Sequence, residues 1–469
     1  MRRRASLRTT ERERAGAEMS DAKKQSDKEL ELPRDEEAMR ALLERSLLSR
    51  ASPKKQRLLG LEFEALRVRR QDGVAAPSTG EDGPDEIVLD LARTLAEGGE
   101  IEAVIENDVL SVVHLGPTNL SLEPGGQLEI SFSPRARIGE VLDVFEQYVP
   151  MIEKRLEDTP YRVLYLGHQP KTMPDEIPLR GKPRYSIMDR RLRRVEKLGP
   201  HMMRATAGQQ LTLDFRDQRE AMRMLRASTV AAPFLTAIFA NSPFVGGKLS
   251  GHLSFREKAW LHTDPTRCGA PALLLNGDDS LDAYIDFALS AEAWFRHGAS
   301  GVEEIPAGST WRELWESGER LTLADFELHS STLFPTARIR GGVELRSADC
   351  TPPEFVPAFL ALIVGALYDE ESREACLELH PYRTQAEVDA LHEAVAQQGP
   401  KAQLPDGFEV LAGCRALVEH AEAGLRRLEA RGEIDVDAWK HLAALHELLA
   451  DGSCPANAAI ERQQSRGEF

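Results

Sequence analysis

One stretch limits the fold more than any other: Asn119-Leu-Ser-Leu-Glu123-Pro-Gly-Gly-Gln-Leu-Glu129-Ile-Ser-Phe-Ser-Pro134. Leu120 and Leu122 alternate with Ser121 and Glu123, and after Pro124-Gly125-Gly126 the residues Leu128, Ile130 and Phe132 alternate with Gln127, Glu129 and Ser131. Period two on both sides of a turn predicts a β-hairpin with one apolar face and one polar face. Successive strand side chains point to opposite faces, so Glu123 and Glu129 share the polar face. An ordinary half-exposed hairpin with solvated carboxylates has the same pattern.

The design recurs. Leu59, Leu61, Phe63 and Ala65 alternate with Glu62 and Glu64; Leu211, Leu213 and Phe215 alternate with Gln210, Thr212 and Asp214. In 337–347, Val343 and Leu345 face one way and Arg338, Arg340, Glu344 and Arg346 the other. Strands are therefore expected near 61–66, 120–123, 127–132, 209–215 and 337–347, with two more around Asn107-Asp108 and one at Tyr161–Leu166. Helices are expected at Glu36–Ser49, Glu86–Glu97, Ile138–Leu156, 218–240, Ser280–Phe295 and Leu321–His329, then at 354–380, 384–396, 409–430 and 435–450. Lys182, Arg184 and Tyr185 fall in a Pro-rich loop, and Gly246, Gly247 and Gly251 in a Gly-rich one. The fold class is α+β: an antiparallel or mixed sheet with helices on one side and an open polar face on the other.

The 469 residues carry a net charge of −17, which argues against a nucleic-acid partner, since phosphate backbones select clustered Lys and Arg. Five scattered cysteines form no disulfide framework or zinc motif and fit a reducing compartment, so a cytoplasmic location is expected. The most apolar candidate span, Ala227–Phe239, lies in a longer amphipathic pattern and reads as a buried helix, so no membrane is expected. Residues 1–35, rich in Arg, Glu, Lys and Ser, read as a disordered tail ahead of one domain over 36–469, helical from about 354 to 465. Met19 is a second candidate start. His114, His168, His201 and His262 show no metal spacing and read as structural.

If these strands share one sheet, Glu62, Glu64, Glu123, Glu129 and Glu344 converge. Crowded carboxylates repel one another or become protonated, and an all-oxygen set suits Mg²⁺ or Mn²⁺ rather than zinc. Arginines beside Glu344 suit phosphate, and carboxylates for metal with arginines for phosphate suit phosphoryl transfer from a nucleotide. No P-loop and no G-x-G-x-x-G occurs.

The hairpin resembles the E-P-G-G-Q-x-E-L-S signature of plant-type glutamate–cysteine ligases. Gly60-Leu-Glu62-Phe-Glu64 resembles the family's G-I-E-x-E, Gly167-His-Gln-Pro-Lys171 its G-F-Q-P-K, and Lys182-Pro-Arg184-Tyr185-Ser-Ile-Met188 its K-G-R-Y-x-I-M. His201-Met-Met-Arg204 through Phe215, Phe239-Ala-Asn241-Ser-Pro243-Phe244, Arg256 through Gly269, and Phe334 through Asp349 extend the match in order. The resemblance implies a glutamine synthetase-like fold with an open funnel, and ligation of the L-glutamate γ-carboxylate to the amine of L-cysteine with ATP, the first step of glutathione biosynthesis. It implies Glu62, Glu64, Glu123, Glu129 and Glu344 as Mg²⁺ ligands, and Arg346, Lys182 and Arg184 on the ATP phosphates. Arg346 and Glu129 are the expected catalytic pair. Arg256 would grip the glutamate carboxylate; Asn241, Thr263 and Arg267 would shape the substrate pocket, with Arg226 facing it. Departures stand at His168, Thr172, Pro183 and Thr212, and Ala207 replaces a cysteine of plant members. A γ-glutamyl ligase for another amine and a non-catalytic nucleotide-binding relative are the alternatives, and a monomer and a homodimer are equally compatible.

Overall fold

The alternating stretches pair into a nine-stranded antiparallel sheet in the computed structural model, which describes residues 30–51, 57–80, 83–96, 101–106, 109–116, 118–298 and 301–469. Its strands are β1 (Leu59–Arg69), β2 (Glu102–Glu106), β3 (Val109–Leu115), β4 (Thr118–Leu122), β5 (Leu128–Phe132), β6 (Tyr161–Leu164), β7 (Gly208–Leu213), β8 (Ala337–Ile339) and β9 (Val343–Asp349). The order across the sheet is β8-β9-β7-β1-β5-β4-β3-β2, and β6 pairs with the far end of β1. Asn107 and Asp108, around which two strands are expected, lie outside the described residues.

The principal helices are α1 (Glu36–Leu47), α2 (Pro84–Leu95), α3 (Ile138–Leu156), α4 (Pro183–Val195), α5 (Gln218–Ile238), α6 (Phe255–Leu261), α7 (Val356–Tyr368) and α8 (Val410–Ala430). The apolar face of the sheet is buried under α3 and α5: Phe63 meets Phe145 edge-on at 5.1 Å, and Leu61, Ile130, Leu211, Val343 and Leu345 join the same core. Burying one such side chain contributes about 1.5–3 kcal/mol. Among the described residues no helix is long and apolar enough to cross a membrane, and Ala227–Phe239 falls on the buried α5 and its cap.

Several expected elements are redrawn. The single strand over 337–347 is two strands around Arg340-Gly341-Gly342, where Gly341 takes the left-handed conformation (φ 72°). Lys182, Arg184 and Tyr185 are not in a loop: Pro183 occupies the first turn of α4, where its missing N–H costs nothing, so the three side chains sit at a helix start. The helix expected to reach Phe295 ends at Ser290, and Phe295–Gly298 pairs with Gly301–Glu304. The helix expected over 354–380 breaks at Asp369, whose carboxylate caps Glu370–Cys376. The Gly-rich loop is a short hairpin, Phe244–Val245 against Lys248–Leu249.

Of the expected tail, residues 1–29, with Met19, lie outside the described residues. Residues 30–35 are not loose. Leu32 is buried and its N–H donates to the Leu321 carbonyl at 2.8 Å, and Trp315 Nε1 donates to the Pro33 carbonyl.

Candidate active site

The polar face is organised by register. Glu64 on β1 stands directly opposite Glu129 on β5, and Ser121 on β4 stands on the other side of Glu129. One pair along, Glu62 lies between Ser131 on β5 and Gln210 on β7. Like charges directly opposite one another destabilise a sheet, so the Glu64–Glu129 pair needs a compensating positive charge. Glu123 follows β4 and opens the hairpin turn. That turn needs its glycines: a Cβ on Gly125 would meet the Arg204 carbonyl oxygen at 2.1 Å, and Gly126 has φ 84°.

Ser121 Oγ and Ser131 Oγ both donate to Glu129 Oε1, at 2.6 and 2.9 Å. The Gly208 N–H donates to Glu64 Oε2 at 2.6 Å and Gln210 Nε2 to Glu64 Oε1 at 3.0 Å. Burial and the neighbouring carboxylates push Glu62 and Glu64 up to about 8 and Glu129 to about 7. Glu123 is raised by burial, against the opposing pull of Arg184 and Lys182.

Glu344 is held differently. Arg338 donates to both of its carboxylate oxygens at 2.9 Å, and Arg346 donates to the same carboxylate and to Gln210 Oε1. Burial again favours the neutral form, but Arg338 and Arg346 outweigh it and Glu344 falls to about 2. As a metal ligand it is therefore not available in the manner of the other four glutamates, because both its oxygens already serve guanidiniums.

Lys182 Nζ donates to Ser111 Oγ at 2.8 Å, and Arg184 lies 5.2 Å from the Tyr185 ring; both face Glu123. Arg340, exposed in the β8–β9 turn, lies in the field of Glu62, Glu344 and Arg184. Arg256, in the first turn of α6, donates through Nη2 to the Arg346 carbonyl at 2.9 Å, and its buried Nε has no partner. It also pulls on Glu64, so it belongs to the same site.

The structure does not bring the four remaining expected substrate residues to this face. Asn241, fully buried, donates its amide to the Tyr165 and Cys350 carbonyls at 2.9 and 2.8 Å and braces two chain segments. Thr263 donates to the Ala259 carbonyl and closes the end of α6. Arg267 is sealed against Trp294, 3.5 Å from its ring, with Asp264 at 2.7 Å as counter-charge. Arg226 is turned to Asp279 at 3.6 Å. The partners of these side chains lie within the fold around the site.

Ser121, Ser131 and Gln210 join the site; period two alone places them on the polar face, but nothing in the sequence marks them as functional. His168 and His201 stack and share a buried 3.1 Å hydrogen bond, with burial holding His168 at about 3, so they are structural. All five cysteines are buried and unpaired.

Among the described residues no three His, Cys, Asp or Glu side chains already stand in metal-binding geometry. The donor set nevertheless fits a hard divalent cation. Glu62 and Glu123 carry no hydrogen bond or ion pair through their carboxylates among the described residues, and burial and crowding suppress the ionisation of Glu62, Glu64 and Glu129. A cation would supply the compensating positive charge.

The chain is similar to known proteins over most of its length. The profile described as Glutamate-cysteine ligase family 2 (GCS2) matches residues 58–469. The chain is 30% identical over 411 residues to the chloroplastic glutamate–cysteine ligase of Arabidopsis thaliana, covering 86% of this chain and 74% of that one. It is 31% identical over 408 residues to that of Brassica juncea, covering 86% and 75%. Among solved structures, a glutamate–cysteine ligase from Francisella tularensis in complex with AMP superposes with TM-score 0.51 at 15% identity, over 89% of this chain and 86% of that chain. A bifunctional glutathione synthetase from Pasteurella multocida superposes with TM-score 0.52 at 14% identity, over 91% and 52%. These two share the fold. The expected cytoplasmic location is corrected: the plant relatives are chloroplastic, which points away from a plain cytoplasmic one.

Proposed function

From the premise that the chain belongs to glutamate–cysteine ligase family 2, we propose that its polar floor holds a divalent cation and the phosphates of ATP while glutamate is activated. The chain is an ATP-dependent ligase that joins the γ-carboxylate of L-glutamate to the amine of L-cysteine, giving γ-glutamylcysteine.

The chemistry sets what the residues must do. A carboxylate is a poor electrophile because its leaving group would be oxide. Transfer of the γ-phosphoryl group of ATP to the glutamate γ-carboxylate gives an acyl phosphate and ADP. The cysteine amine then attacks the acyl carbon, phosphate leaves with the former carboxylate oxygen, and the amine loses its proton. Glu62, Glu64, Glu123 and Glu129 would hold Mg²⁺ or Mn²⁺, which neutralises phosphate charge when bound. Arg346 and Arg338, with Lys182 and Arg184 across the floor, supply guanidinium and ammonium donors to phosphate oxygens. Glu344, whose two oxygens are held by Arg338 and Arg346, would join the ligand set only where phosphate draws both arginines away. Arg256, with a spare donor at Nε, suits a glutamate carboxylate.

The observation that carries this reading is the Glu64–Glu129 cross-strand pair, two facing carboxylates with Glu62 beside them and a row of arginines at their flank. The test is ADP release from Mg-ATP with L-glutamate and a panel of amines, with the product identified by mass. L-Cysteine is expected to be the preferred acceptor, and ¹⁸O in the glutamate γ-carboxylate is expected in the released phosphate. Product formation without label in phosphate would rule out the acyl phosphate. A product with another amine only would overturn the acceptor while keeping the activation step.

A further inference from the structure

We infer that Gln210 is the positioning residue that ties the carboxylate half of this site to its arginine half, an assignment that rests on the roles proposed for Glu64 and Arg346. Gln210 is 4% exposed and sits on β7, between Glu62 of β1 and the bulged part of β9. Its Nε2 donates to Glu64 Oε1 at 3.0 Å, and its Oε1 accepts from Arg346 Nη1. That amide orientation alone satisfies both neighbours, because Glu64 can only accept when ionised and Arg346 can only donate.

The backbone supports the same geometry. Leu345 pairs with Leu211 and Ala348 with Gln209, so Arg346 and Ser347 both stand against Gln210. Such a bulge bends the strand and re-aims a side chain. Here the guanidinium of Arg346 is turned onto Gln210 and Glu344, while its carbonyl accepts from Arg256 Nη2 at 2.9 Å. One neutral side chain thus sets the spacing between Glu64, Arg346 and, through the bulge, Arg256.

The residue type follows from chemistry. A carboxamide both donates and accepts without adding charge to a floor already crowded with carboxylates. A glutamate at 210 would keep an acceptor for Arg346 but repel Glu64. A methionine would fill the same space and do neither.

The experiment compares Gln210→Met and Gln210→Glu in the full chain, by thermal melting, kcat, KM for ATP and the Mn²⁺ concentration giving half-maximal glutamate-dependent ADP release. Gln210→Met is expected to fold, to lose kcat by about 10–100-fold, and to raise both KM for ATP and half-saturating Mn²⁺, because small misplacements of reacting groups are costly. Gln210→Glu is expected to lose kcat similarly but to keep KM for ATP within about threefold of wild type, since Arg346 retains its acceptor. A merely structural role would not separate KM from kcat between the two. Folded variants that keep kcat within about threefold, or that raise KM for ATP in parallel, would overturn the inference. If Gln210→Met does not fold, Gln210→Glu decides alone, and a parallel rise in its KM for ATP would overturn it. The parent reading fails separately: a folded Glu64→Gln variant with full activity removes the carboxylate role itself. An inactive Glu64→Gln beside fully active Gln210 variants removes only the positioning role.

Discussion

Two halves of one sheet carry the same residue type in opposite electrical states. On β1 and the β4–β5 hairpin, Glu62, Glu64 and Glu129 are pushed up to about 8, 8 and 7 by burial and by one another. On β9, Glu344 is more deeply buried yet falls to about 2, because Arg338 and Arg346 are its immediate neighbours. Burial is common to both halves, so the partners decide. The β9 half is already neutralised by protein cations, whereas the β1/β5 half carries carboxylates in excess, for which the proposed cation would be the counter-charge.

The largest test of this contrast is Glu129→Gln, which keeps shape and removes charge. Turnover at saturating Mg²⁺ is expected to fall by about 10³-fold with melting temperature nearly unchanged, the scale of losing one preorganised electrostatic group. Near-normal turnover in a folded variant would break the comparison. On the other half, Glu344→Gln strands Arg338 without its buried counter-charge. Stability measured by urea unfolding is expected to drop by about 3–5 kcal/mol. A drop below about 1 kcal/mol would mean that the pair behaves as an exposed ion pair.

The third expectation concerns pH. Glu62, Glu64 and Glu129 bind protons more tightly folded than unfolded, so the metal-free protein should lose stability as pH rises from about 5 to 8. Glu344 has the opposite sign: its contribution is present above the ordinary glutamate range and is lost as pH falls towards about 2. Mg²⁺ should therefore raise the melting temperature more at pH 8 than at pH 6. Equal Mg²⁺ stabilisation at both pH values would contradict the raised carboxylates. The smallest expected effect is that of Ser131→Ala, which removes one of two donors to Glu129 Oε1 while Ser121 remains. A loss in kcat of about tenfold is expected, the scale of one hydrogen bond to a charged group; no change would show that Ser121 alone suffices.

The contrast also marks where sequence stops being informative. Convergence of Glu62, Glu64, Glu123, Glu129 and Glu344 was legible, because period two places alternate side chains on one face whatever the loops do. Which glutamate owns an arginine was not. That depends on the β8–β9 turn, on register, and on a bulge at Arg346–Ser347 that leaves no mark in the alternation. Asn241, Thr263 and Arg267 match family motifs just as well as Arg256 does. Burial does not distinguish them, since Arg256 is buried too; their partners do, and some of these, such as Trp294 for Arg267 and the Tyr165 carbonyl for Asn241, come from other segments of the chain. The docking of Leu32 is not legible in the sequence for a related reason: a short segment without periodicity can still dock through one apolar side chain and one backbone hydrogen bond.

The central claim is that the nucleotide-free site takes a cation through its β1/β5 carboxylates and not through Glu344. Mn²⁺ titration followed by electron paramagnetic resonance, on folded wild type, Glu62→Gln, Glu129→Gln and Glu344→Gln without nucleotide, tests it directly. The account predicts that Mn²⁺ binding is lost in Glu62→Gln and Glu129→Gln and preserved in Glu344→Gln. Binding preserved in the first two and lost in Glu344→Gln would contradict it.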